Sequence, residues 1–199
     1  MLKNATILLI RHGEKPGDPA IDKVEDGTYL TQAGRERALA YIAFFQPHLI
    51  SDVSGKGAAY PFEPDALFAA RDSKESHRPR LTLEPVAVAA GLDLNCDYED
   101  TDIKGVAKAL EEAPAQKILV CWHHGTIIHL ANLLLAPHGG APPKLPAASH
   151  WPKEWPPKVF GWVLQIRYDG AGKPIPDWTK CTNQEMMFDD KVNPPAHAA

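Results

Sequence analysis

His12 stands between Arg11 and Gly13, directly after the apolar run Ile7-Leu8-Leu9-Ile10, and these residue types suit one chemistry. A neutral imidazole is a competent nucleophile near neutral pH, because its unperturbed pKa is about 6.5. A guanidinium presents a permanently charged planar fork to two phosphoryl oxygens at once. A glycine lets backbone approach an anion closely, since it has no Cβ. Together they read as attack of imidazole on phosphorus, with a phosphohistidine that water then hydrolyses. A second apolar run, Ile118 to Trp122, ends in His123-His124-Gly125. A third, Ala66 to Ala70, ends in Arg71-Asp72-Ser73.

Short apolar runs of this kind read as buried strands, and open α/β sheets bind ligands at the carboxyl ends of their strands. The spacing predicts strands at about 5–11, 66–70, 92–96, 117–122 and 159–168. Between them fall helices. Thr31 caps one that carries Ala38, Tyr41, Ile42 and Phe45 and closes at Pro47. One over 80–90 stops at Gly91, with Pro85 implying a later start or a kink. Thr101 caps one running to Glu112, and Gly125 opens one running to Leu135. The alternation predicts a three-layer α/β/α sandwich with a central, mainly parallel sheet, as one domain over 1–199. Residues 15–29 read as a loop over the strand ends. Residues 137–157 hold seven prolines and cannot be regular structure; Trp151 and Trp155 either pin this loop or floor a pocket. Residues 190–199 read as a frayed tail.

Four segments, in this order, resemble the histidine phosphatase superfamily: Arg11-His12-Gly13, Leu30-Thr31-Gln32-Ala33-Gly34, Arg78-Pro79-Arg80-Leu81-Thr82 and His124-Gly125-Thr126-Ile127-Ile128. The resemblance spans roughly residues 5–130 and implies a phosphoglycerate mutase-like fold. It implies His12 as nucleophile, Arg11 and Arg78 as the phosphoryl clamp, and His124 as a donor to a phosphoryl oxygen. Arg80 competes with Arg78. A pattern with Thr three residues after the histidine selects His123 instead of His124, and neighbours on a strand face opposite ways. Gly13, Lys15 and Arg71 extend the anion pocket, although the family often has Thr where Lys15 stands. Residues 72–77 look like an insertion. A leaving alkoxide needs a proton, and the candidate acids are Glu14, Asp72, Asp97, Glu99 and Asp100. The resemblance favours the 97–102 segment.

A net charge of −4 gives no support for nucleic-acid binding. The N-terminal apolar stretch is too short for a membrane span or a secretion signal. Three widely spaced cysteines suggest neither a disulfide framework nor a zinc site, so a cytoplasmic setting is expected. No His-x-x-x-His or His-Glu-x-x-His occurs, which argues against a metal hydrolase. The expectation is a phosphatase needing no metal and no cofactor. Its substrate is a small phosphorylated molecule, a phosphomonoester or a phosphohistidine. The alternatives are a phosphoglycerate mutase-type transferase, which usually carries a longer insertion, and a non-catalytic phosphate-binding module. No oligomeric state follows from the sequence.

Overall fold

The computed structural model describes residues 2–17, 27–45 and 62–196. In chain order the regular elements are β1 (Thr6–Arg11), α1 (Gln32–Phe45), β2 (Ala66–Ala69), α2 (Arg78–Ala90), β3 (Leu94–Asn95), α3 (Ile103–Glu112), β4 (Lys117–Trp122), α4 (Ile127–Leu134), β5 (Trp162–Arg167) and β6 (Lys180–Asn183). The strands form one sheet in the order β3-β2-β4-β1-β5-β6. β3, β2, β4 and β1 pair in parallel, whereas β5 and β6 join antiparallel at the other edge.

Alternation along the central strands builds the two faces. Ile7, Leu9, Ile118, Val120 and Trp122 point to one side, where Val106 and Leu110 of α3 and Leu130 and Leu134 of α4 cover them. Leu8, Ile10, Leu119 and Cys121 point to the other, under Tyr41 and Phe45 of α1 and Leu83 and Val86 of α2. Each fully buried Leu or Ile contributes roughly 1.5–3 kcal/mol, and the paired strands β1 and β4 are buried on both faces. The result is the expected three-layer arrangement.

Several boundaries differ from the sequence expectation. α2 begins at Arg78 and passes through Pro85. A proline in a helix interior costs about 3 kcal/mol; burial of Thr82, Leu83, Val86 and Ala87 around it holds the helix together. The cap of α3 is Asp102, whose side chain accepts from the Gly105 amide at 2.9 Å, not Thr101. Thr31 does cap α1, accepting from the Gly34 amide at 3.1 Å. Gly91, at φ 65°, ends α2 in the left-handed conformation that glycine adopts freely. β3 is shorter than expected, and β6 was not anticipated, since only Cys181 in it is fully buried. The Pro-rich stretch contains only two short 3-10 turns, at 137–139 and 147–149. Trp151 donates to Asn132 Oδ1 and Trp155 to the Val159 carbonyl, so both indoles pin the loop. Residues 190–195 are not frayed. Arg37 bonds Asp190, the Trp162 indole donates to the Val192 carbonyl at 2.7 Å, and His150 Nδ1 meets the Pro195 carbonyl at 3.2 Å. Pro47 and most of the 15–29 loop lie outside the described residues.

Candidate active site

The parallel register of β1 and β4 decides which residues meet. Arg11 is level with Trp122, so the next residues out, His12 and His123, leave adjacent strand ends side by side. The His12 amide donates to the Trp122 carbonyl at 3.2 Å, and the two imidazoles lie edge to face with centroids 5.1 Å apart. The ring neighbour of His12 is therefore His123, the histidine that the Thr-spaced pattern selects.

His12 is 1% exposed. Its Nδ1 lies 2.7 Å from the Gly13 carbonyl. A carbonyl only accepts, so Nδ1 carries the proton and the Nε2 lone pair is left for chemistry. Burial holds the His12 pKa well below its ordinary value, the Gly13 bond opposes this, and the charges of Arg11 and Arg78 add to the lowering. The ring is thus neutral at pH 7.

Arg11 is fully buried. One of its nitrogens, Nη1, donates to the carbonyls of Pro157 at 2.7 Å, Val159 at 3.0 Å and Pro156 at 3.4 Å. The Phe160 ring backs the guanidinium, with its centroid 3.9 Å from the central carbon. Nε and Nη2 are buried and have no protein partner. Leaving a buried donor unmatched costs about 1–3 kcal/mol, so two such donors on one guanidinium mark a surface shaped for an acceptor. Burial lowers the Arg11 pKa to about 10, which leaves it cationic at neutral pH.

Arg78, the first residue of α2, donates through Nη1 to the Gly27 carbonyl and keeps a buried, unpartnered Nε. A short relay ties it to β1: the Gly13 amide donates to Thr82 Oγ1 at 2.9 Å, and that hydroxyl donates to the Arg78 carbonyl at 2.7 Å. The Arg78 charge lowers the pKa values of Arg11, His12, Lys15, His123 and His124, so these groups converge. His124 keeps an unpartnered buried Nδ1, and its pKa is lowered by burial and by Arg11, Lys15 and Arg78. Burial likewise pushes His123 down to about 4, against an upward pull from Asp100. Arg80 turns away, bonding Asp72 at 2.9 Å and Glu84 at 3.3 Å.

Other sequence-named residues have different partners. Gly13 does not offer its amide to an anion. Its amide is engaged by Thr82, and a Cβ on it would come within 2.8 Å of the Gly34 carbonyl, so its bareness serves the close packing of β1 against α1. Glu14 chelates the Arg37 guanidinium, with a closest contact of 2.6 Å, and Asp190 takes the same guanidinium at 2.7 Å. Glu14 is therefore part of a structural ion triad. Arg37 and Asp190 were not anticipated. The available signal was a charge on the buried stripe Gly34-Arg37-Ala38-Tyr41 of α1. No sequence signal pointed to Phe160.

Beside His123 opens a cleft of about 410 Å³. The 72–77 insertion forms one wall as a tight turn closed by Ser73 and Ser76, and Glu99 and Asp100 form another. Arg71 lies on the rim, half exposed, donating to the Asp97 carbonyl and 3.9 Å from Glu99. Asp97 accepts from Asn95 and does not line the cleft, and Asp72 is held by Arg80 and His77. A separate hollow of about 360 Å³, walled by Glu14, Arg37 and Lys158, lies behind the triad and contains neither His12 nor Arg78. Among the described residues, no three His, Cys, Asp or Glu side chains are grouped so that they could hold a metal ion.

The sheet order and the helices on both faces give a phosphoglycerate mutase-like α/β fold. The chain is similar to the α-ribazole phosphatase of Shigella flexneri (TM-score 0.51, 18% identity, covering 88% of this chain and 96% of that one). It is also similar to the phosphoglycerate mutase of Plasmodium falciparum (TM-score 0.52, 13% identity, covering 99% and 98%). No family model and no curated protein sequence matches it. Among the described residues, no helix is long and apolar enough to cross a membrane.

Proposed function

We propose that this protein is a phosphatase that hydrolyses a small phosphomonoester through a phosphohistidine on His12. The observation that carries the reading is a neutral imidazole held in one tautomer with Nε2 free, beside buried guanidinium N–H groups of Arg11 and Arg78 that have no protein partner. In the first step Nε2 forms a bond to phosphorus as the ester P–O bond breaks, and the departing oxygen takes a proton. Arg11, Arg78 and His124 stabilise the charge on the phosphoryl oxygens, where fixed donors lower the barrier most. Asp100, which lines the cleft and acts electrostatically on His123, is the carboxyl we assign to the leaving oxygen. In the second step water attacks phosphorus, gives up a proton to the same side of the site, and Nε2 leaves with its lone pair restored. Glu14 and Asp97 are not assigned this role, because their partners lie elsewhere. We assign the protein to a reducing, cytoplasmic setting, in keeping with three free cysteines.

The test is turnover of p-nitrophenyl phosphate by the full chain and by His12→Ala, with rapid quench for a phosphoenzyme. The expected result is an acid-labile, base-stable phosphoryl adduct in the wild type. His12→Ala keeps the native circular dichroism and loses at least a thousandfold in kcat, about the cost of removing a nucleophile that acts with its clamp as a unit. A folded His12→Ala that retains turnover overturns the mechanism.

A further inference from the structure

The cleft that opens from His123 is where the leaving group must sit, and its walls are unlike a general-purpose pocket. Every residue lining it is polar or charged. A cleft whose surface is mainly polar gives an aromatic or aliphatic alcohol little to bury, so hydrophobic burial contributes little to binding there. The charges are also uneven. Arg78 belongs to the phosphoryl end, where its buried Nε lacks a protein partner. Asp72 is neutralised from outside the cleft by Arg80 at 2.9 Å, with His77 Nδ1 2.8 Å away. What remains among the described lining residues is one cation, Arg71, against two carboxylates, Glu75 and Glu99, while Asp100 holds the proton destined for the leaving oxygen. Arg71 is already drawn onto the acidic wall, bonded to the Asp97 carbonyl and within 3.9 Å of Glu99. His123 adds no charge at neutral pH, since burial holds its pKa at about 4. Among the described residues that line it, the leaving-group end therefore carries net negative charge, beside the cationic Arg11 and Arg78 of the phosphoryl end.

Resting on the assignment of His12 as nucleophile, we infer that the substrate is a small phosphomonoester whose alcohol portion bears a protonated amine. Such a molecule is a zwitterion whose phosphate meets Arg11 and Arg78 and whose ammonium meets Glu75 and Glu99. The same potential repels an alcohol carrying a carboxylate or a second phosphate. A phosphoglycerate, the substrate type of a mutase, puts its carboxylate against these acids, so the cleft selects against mutase chemistry by charge. Both steps of the proposed reaction remain as written above, with the amine as a spectator.

The experiment compares kcat/KM for three esters of equal length and differing end group: 3-aminopropyl phosphate, 3-hydroxypropyl phosphate and 3-phosphonooxypropanoate. The expected order is amine, then hydroxyl, then carboxylate, with each step about tenfold at low ionic strength and shrinking as salt is added. Glu75→Gln and Glu99→Gln together lower the amine-to-carboxylate ratio about tenfold; a ratio measured within one preparation cancels any general loss from misfolding. Equal kcat/KM for the three, or preference for the carboxylate, overturns the inference while turnover of p-nitrophenyl phosphate still upholds the phosphatase reading. Absence of turnover for all three and for the aryl ester brings down that reading and this inference with it.

Discussion

Replacing Arg78 by alanine is the sharpest probe of the site, because two independent readouts must move together. Arg78 is 9% exposed, its Nε is buried without a protein partner, and its charge acts on both His12 and His123. A hydrogen bond to a charged group is worth about 1.5–3 kcal/mol, and a two-pronged guanidinium contact to a phosphoryl group about 3–4 kcal/mol in the transition state. At about 1.4 kcal/mol per decade this is a loss of 10²–10³ in kcat/KM for an aryl phosphate. The second readout is the acid limb of the pH profile. The His12 pKa is lowered in the folded protein, so its neutral, nucleophilic form persists below pH 6.5 and activity falls only at more acid pH. Arg78 is one of the charges that lower it, so removing Arg78 raises the His12 pKa and moves the acid limb toward neutrality. Arg80→Ala is the control. Arg80 bonds Asp72 and Glu84 at the surface, where such pairs contribute about 0–1 kcal/mol, and turnover stays within about threefold. Steady-state kinetics across pH 4–8 on the three proteins decides the matter. A larger loss in Arg80→Ala, or a large loss in Arg78→Ala with the acid limb unmoved, refutes the convergence of residues 12 and 78 on one anion.

Two further outcomes follow from buried contacts. Arg37→Leu leaves Glu14 and Asp190, with side chains 20% and 3% exposed, facing one another without their shared cation. The expected cost is about 3–5 kcal/mol, a fall in melting temperature on the order of 10 °C for a chain of this size, and thermal unfolding showing less than about 1 kcal/mol removes the triad from the account of stability. Phe160→Leu withdraws the ring behind the Arg11 guanidinium, a contact worth about 0.5–2 kcal/mol. It should raise the inhibition constant of inorganic phosphate several-fold, with Phe160→Tyr restoring it; an unchanged constant means that the carbonyls of Pro156, Pro157 and Val159 position Arg11 alone.

The strand ends were legible because two physical signals coincide in a few residues: a run of apolar side chains long enough to be buried on both faces, and an abrupt change to Arg, His and Gly. The caps at Thr31 and Gly91 were legible for a similar reason, since cap chemistry is local. Partners distant along the chain left no such trace. Glu14 reads equally well as an acid catalyst until Arg37, 23 positions away, is brought to it together with Asp190, itself 153 positions beyond Arg37. Gly13 reads as an anion contact until the Gly34 backbone is found against it. The segment after residue 189 reads as a tail, because one Asp side chain and a few main-chain carbonyls carry its attachment.

Local order along the chain thus determined the layered architecture and pointed to His12 as the proposed nucleophile of a phosphoryl group, since both readings depend on residues adjacent in sequence. Tertiary structure alone decided that His123 stands beside His12, that Arg11 is gripped by a Pro-rich loop, and that the leaving-group cleft is acidic. Those outcomes are set by strand register and by the meeting of loops from opposite ends of the chain, where side chains far apart in sequence share one low-dielectric space and change one another's charge.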